Sequence, residues 1–141
     1  MKTFFEKNRL LKIILITYTF AIFPFGFVKT DYYFMSPGPP YQWDIEIEDA
    51  KTAARLCGLA IVSQLNEATD LDLDKIKRIV KLGGFVNCID EFTQQPEIIN
   101  GASDLMVEIF GDKGKHSRFA VGTNSLPRNV VVEIEAVAEI H

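Results

Sequence analysis

A chain of 141 residues that is 48% apolar and 24% charged has material for one domain with a sizeable core. A formal net charge of −4, with no long basic run, argues against a nucleic-acid partner. Its two cysteines, Cys57 and Cys88, each sit in an apolar stretch without metal or redox spacing. They read as reduced core residues, which points to a reducing compartment.

At the N-terminus, Lys2, Lys7, Arg9 and Lys12 precede an uncharged stretch over residues 13–28. That order resembles a signal peptide. Against it, Thr17, Tyr18 and Thr19 interrupt the stretch, Pro24 and Gly26 break it, and no small-residue cleavage site follows. It also falls short of the roughly 20 apolar residues a membrane span needs. Three readings of residues 1–24 stay open: an extended arm or strand packed on the domain, a signal or membrane anchor, or an atypical start of the reading frame. Residues 25–141 make the domain proper, so membrane contact is confined to residues 1–28, and the expected location is the cytoplasm unless that segment anchors or exports the chain.

Tyr32-Tyr33-Phe34-Met35 is aromatic and strand-like, and Ser36-Pro37-Gly38-Pro39-Pro40 stops any regular element. Residues 49–67 predict a helix with Ala53, Leu56, Cys57, Ala60, Ile61 and Leu65 on one face and acidic residues at its start. Residues 78–89 predict a strand with Val80, Leu82, Val86 and Cys88 on one face, and Gly83-Gly84 suggests a bulge or a close backbone approach. Residues 96–110 predict a second helix with a stripe of Ile98, Ala102, Leu105, Met106 and Ile109, ended by Gly111 or Gly114. Two strands follow, at 118–123 and 130–140. The latter alternates Val130, Val132, Ile134, Ala136, Ala138 and Ile140 with a glutamate-bearing face. The order of hairpin, helix, strand, helix, strand, strand implies an α+β domain with both helices on one face of a mixed sheet.

Among polar residues, Arg118 stands out. A guanidinium is always charged and its planar fork grips a carboxylate bidentately, and the start of a strand is a rigid mount. A solvated strand-end arginine or a structural ion pair is the alternative. His116, one of two histidines, lies in the loop before Arg118 and reads better as an exposed loop residue than as a catalytic one. The sequence shows no metal cluster, no glycine-rich phosphate loop and no supported Ser-His-Asp order.

Arg118-Phe119-Ala120-Val121-Gly122, then Leu126-Pro127, then Val132-Glu133-Ile134-Glu135-Ala136 resemble the C-terminal signature of the RidA/YjgF family. Arg55 to Leu59, Val80 to Asn87 and Asn100 to Leu105 resemble its branch labelled endoribonuclease L-PSP or chorismate-mutase-like. The resemblance covers about residues 45–141. Before that it weakens: the family's first hairpin carries Gly-x-Tyr and Ser-Gly-Gln, where this chain has Gly26-Phe27-Val28 and Ser36-Pro37-Gly38.

The resemblance implies a chorismate-mutase-like fold, a homotrimer with ligand clefts between subunits, and no cofactor. It implies that Arg118 holds the carboxylate of a small imine or carboxylate ligand. Backbone at Ala120 would orient that ligand. Many relatives carry a cysteine there, so thiol chemistry is excluded at this position. Glu133 would place a water; Glu135 shares its face, and family register favours Glu133. Asn100 matches an asparagine near the pocket, with a helix N-cap as the alternative. The implied activity is enamine/imine deamination, giving a 2-oxo acid and ammonia from substrates of the 2-aminoacrylate type. A non-catalytic binder of small carboxylates is the second reading. Ribonuclease action comes third, because the charge is acidic and an acid–base histidine pair is absent.

Overall fold

The computed structural model describes residues 12–20, as backbone, and residues 45–141 in full. The hairpin expected near residues 26–38 lies outside the described residues. Strand β1 (Lys12–Phe20) comes first, followed by helix α1 (Ile47–Ala68), strand β2 (Ile76–Asn87), helix α2 (Gln95–Phe110), strand β3 (Ser117–Thr123) and strand β4 (Val132–Ile140). The sheet order is β1-β4-β2-β3. β4 runs antiparallel to both β1 and β2, and β3 runs parallel to β2, so the sheet is mixed with β3 at one edge. No helix among the described residues is long and apolar enough to cross a membrane.

Both helices lie on one face, as expected, because each offers an apolar stripe that only a sheet face can cover. Glu48 and Asp49 occupy the first turn of α1, where negative charge suits the helix dipole. At its other end the buried Thr69 hydroxyl donates to the Leu65 carbonyl at 2.8 Å, satisfying an orphan acceptor. The core joins Cys57, Ile61 and Leu65 of α1, Ile99, Ala102 and Met106 of α2, Leu82 and Val86 of β2, and Val132, Ile134, Ala136 and Ala138 of β4. Each large side chain so buried contributes about 1.5–3 kcal/mol.

Three expectations need correction. Leu56 and Ile109 are each 40% exposed, because Ala54 and Gly58 of α1, and Ile99 and Gly101 of α2, take the buried places. In β2 the register with β4 shifts between Ile79 and Lys81, so Ile79 fills the core place expected of Val80. The Ser117 hydroxyl donates to the Val80 carbonyl at 3.1 Å, giving the displaced backbone a partner. No register shift falls at Gly83-Gly84; these glycines make room for side chains instead. A β-carbon on Gly84 would lie 2.5 Å from Ile99 Cδ1, and one on Gly83 would lie 2.5 Å from the Phe119 ring.

Candidate functional site at the β3 edge

Register places the site residues. Arg118 pairs with Leu82 and Ala120 with Gly84. Leu82 is fully buried and Gly84 lies under Ile99 of α2, so Arg118 and Ala120 share the helix-bearing face of the edge strand. Arg118 is exposed and makes no ion pair with another described residue. Several other cations are paired: Arg55 with Glu108 at 2.8 Å, Lys81 with Glu135 at 3.1 Å, and Lys77 and Arg78 with Glu139 at 2.6 and 2.9 Å, whereas Arg128, in the turn before β4, is without an ion pair to a described residue, as Arg118 is. The Arg118 fork is therefore uncommitted among the described residues, and a planar guanidinium so placed can grip a carboxylate.

Glu133 lies elsewhere. It pairs with Phe85, which in turn pairs with Val121, and these positions belong to the face without helices. On that face the Phe119 ring packs edge-on against Phe85, with centroids 5.4 Å apart, and takes Lys81 Nζ over its own centroid at 4.9 Å. Glu135 is held by Lys81, whereas Glu133 is half-buried and has no ion pair with a described residue. The two glutamates that sequence spacing confuses are thus told apart. Within one chain the sheet itself separates Arg118 from Glu133.

Asn100 is half-buried in the second turn of α2, a helix that starts at Gln95 with Gln94 before it, so the N-cap alternative for Asn100 fails. Ser103, one turn further on, meets His116, with Oγ and Nε2 3.0 Å apart. The Nδ1 of His116 faces the Gly114 carbonyl. His116 is therefore a half-buried, doubly bonded residue and not an exposed loop residue. Sequence reasoning missed Ser103. It lies 13 residues before its partner, and only the packing of α2 beside β3 joins them.

Two concavities open near the C-terminal end of β2. One, of about 210 Å³, is lined by Val86, Cys88, Phe92, Ile98 and Val131 among others. The second is open, about 480 Å³, and bordered by Cys88, Gln95, Gly122 and Asn124. Neither is lined by Arg118, Ala120, Asn100 or Glu133. Among the described residues no cluster of three histidine, cysteine or acidic side chains could hold a metal. The carboxyl of Glu139, at the far end of β4, is held below the ordinary glutamate range. Its hydrogen bond from Lys77 is the main cause, with Arg78 adding to it and burial opposing.

Comparison with known proteins gives consistent results. Residues 21–140 match the family described as YjgF/chorismate mutase-like, putative endoribonuclease. A Trypanosoma cruzi protein, TCP17, is 44% identical over 98 residues, covering 69% of this chain and 61% of its own. Among solved structures, the Agrobacterium tumefaciens protein Atu1372, of unknown function, is 45% identical with a TM-score of 0.69, covering 70% of this chain and 64% of its own. A Shewanella oneidensis protein described as a putative endoribonuclease is 34% identical with a TM-score of 0.66, at the same coverages of 70% and 64%. The chain thus spans less than two thirds of the length of each of these relatives.

Proposed function

This chain belongs to the YjgF/chorismate mutase-like family, and from that premise we propose that it is a RidA-type enamine/imine deaminase working at a cleft between copies of itself. One observation carries the reading: Arg118 stands on a rigid edge strand with its guanidinium uncommitted among the described residues. The fork binds the carboxylate of a small imine formed from an amino acid. Backbone at Ala120 orients the reacting carbon, and a water placed by Glu133 adds to it. The carbinolamine then loses ammonia and leaves a 2-oxo acid. Positioning and electrostatics supply the rate gain, and no cofactor enters.

The opposite facing of Arg118 and Glu133 supports the shared cleft. A small ligand cannot reach both through the sheet that separates them, but two copies in a closed ring can present the arginine of one to the glutamate of the next. A homotrimer is the assembly that the family resemblance implies. The test is ammonia release from freshly generated 2-aminoacrylate, expected to exceed that of buffer and to be lost in Arg118→Ala.

A second reading is a non-catalytic binder of small carboxylates. The first-hairpin sequence favours it, since Val28 and Pro37 stand where the family has a tyrosine and a glycine. Release no faster than in buffer, with pyruvate still binding, selects the binder.

A further inference from the structure

We propose that Ser103 and His116 form a proton relay beside Arg118, with the Ser103 hydroxyl meeting the nitrogen of the bound ligand and His116 acting through it. The inference rests on the deaminase reading and adds to it the group that protonates the imine nitrogen as water adds to the carbon.

The geometry fixes the direction of one bond. A carbonyl only accepts, so Nδ1 of His116 carries the proton that is donated to Gly114 O. That leaves Nε2 facing the Ser103 hydroxyl, 3.0 Å away, where it accepts from the hydroxyl when the ring is neutral and donates to Oγ when Nε2 is protonated. The carbonyl itself is fixed. Gly114 is buried against α2, where a β-carbon would lie 2.9 Å from Val107 Cα and 2.6 Å from the Met106 carbonyl carbon. A nitrogen base oriented by a rigid acceptor and bonded to a hydroxyl is the arrangement that moves protons.

The place also fits. His116 stands two residues before Arg118, and its ring reaches α2 on the face where Arg118 and Ala120 lie. Ser103 sits one helical turn beyond Asn100. His116 and Arg118 thus share the helix-bearing face of β3 and its approach, and Ser103 and Asn100 belong to the helix packed against that face. Glu133, on the other face of the same chain, cannot reach that face without a second copy.

The protons balance as follows. Water adds to the C=N carbon and gives one proton to Glu133, while the imine nitrogen takes a proton from Ser103 Oγ as Oγ takes one from protonated His116. When the carbinolamine collapses, its hydroxyl proton returns to His116 through Ser103. The proton on Glu133 passes to the amine, the C–N bond breaks, a C=O bond forms and ammonia leaves.

The experiment uses the full chain, with turnover of 2-aminoacrylate and pyruvate as the binding probe. Ser103→Ala and His116→Gln should lower kcat about 100-fold, within the range general acids contribute, with KM and pyruvate affinity unchanged. Ser103→Thr, which keeps the hydroxyl, should restore most of the rate. Independently of turnover, saturating pyruvate should shift the His116 Nε2 resonance in nitrogen NMR, and Ser103→Ala should remove that shift. An unchanged kcat in folded Ser103→Ala, or bound pyruvate that leaves Nε2 unmoved, overturns the relay while sparing the Arg118 site. Pyruvate affinity indifferent to Arg118→Ala overturns the deaminase reading itself, and the relay with it.

Discussion

Replacing Gly101 by alanine inserts a methyl group where α1 and α2 approach through their backbones. The new β-carbon would fall 3.0 Å from the Lys51 carbonyl carbon and 3.1 Å from Arg55 N, and nearer still to Lys51 O. Carbon contacts prefer about 3.5–4.0 Å, so the helices must part by roughly 1 Å. No flexible side chain can absorb this, because the obstacles are main-chain atoms. Overpacking of this kind costs about 1–3 kcal/mol, and rigid obstacles place Gly101→Ala near the top of that range. For a domain of this size the melting temperature should fall by about 10 °C. Gly111→Ala is the comparison: its β-carbon meets nothing within 4 Å, and only the backbone, at φ +58° and ψ −130°, is strained, at about 1–3 kcal/mol. The shift of α2 over the sheet also displaces Asn100, so pyruvate affinity should drop in Gly101→Ala and hold in Gly111→Ala. Thermal denaturation of both variants decides the matter. A Gly101→Ala protein that melts no lower than the wild type refutes the packing argument.

Two further predictions follow from burial and charge. Ile99 is fully buried and covers Gly84, so Ile99→Ala opens a cavity against a position that has no side chain to fill it. It should cost about 2–5 kcal/mol in urea denaturation, and a loss under 1 kcal/mol would show that the layer collapses onto the gap. The folded-state Glu139 carboxyl titrates below its ordinary range because Lys77 donates to it, so its stabilising contribution is present at neutral pH and disappears as pH falls through that lowered range. Glu139→Gln should therefore flatten the acid limb of the stability profile measured by denaturant titration; an unchanged limb means the pairing with Lys77 and Arg78 adds nothing.

The parts of the fold carried by local periodicity were legible in the sequence. Alternation along Val132–Ile140 marks the core face of β4, where Val132, Ile134, Ala136 and Ala138 are fully buried. Pro96 and Gly111 bound α2 as their backbone preferences require. What escaped depends on distant partners. Ile79 and Val80 are equally apolar, and the shift that favours Ile79 involves a Ser117 hydroxyl 37 residues away. Leu56 and Ile109 lose their buried places because Gly58 and Gly101 let the helices approach through those positions. At the site, motif order singled out Arg118 and Glu133. Their placement on opposite faces follows from how β3 and β4 each register with β2, which spacing along the chain does not encode. The Ser103–His116 pair is hidden for the same reason, and the close approach of Gly114 to α2 that fixes its carbonyl is likewise visible only in the fold.

The shared cleft is tested most directly by subunit mixing. Arg118→Ala and Glu133→Gln proteins, each inactive alone, are unfolded together, refolded as a mixture and assayed for ammonia release. If every cleft takes its arginine from one copy and its glutamate from the next, random assembly restores both groups in about one cleft in four, and about a quarter of wild-type turnover should return. A mixture as inactive as its two components contradicts a site built from two copies.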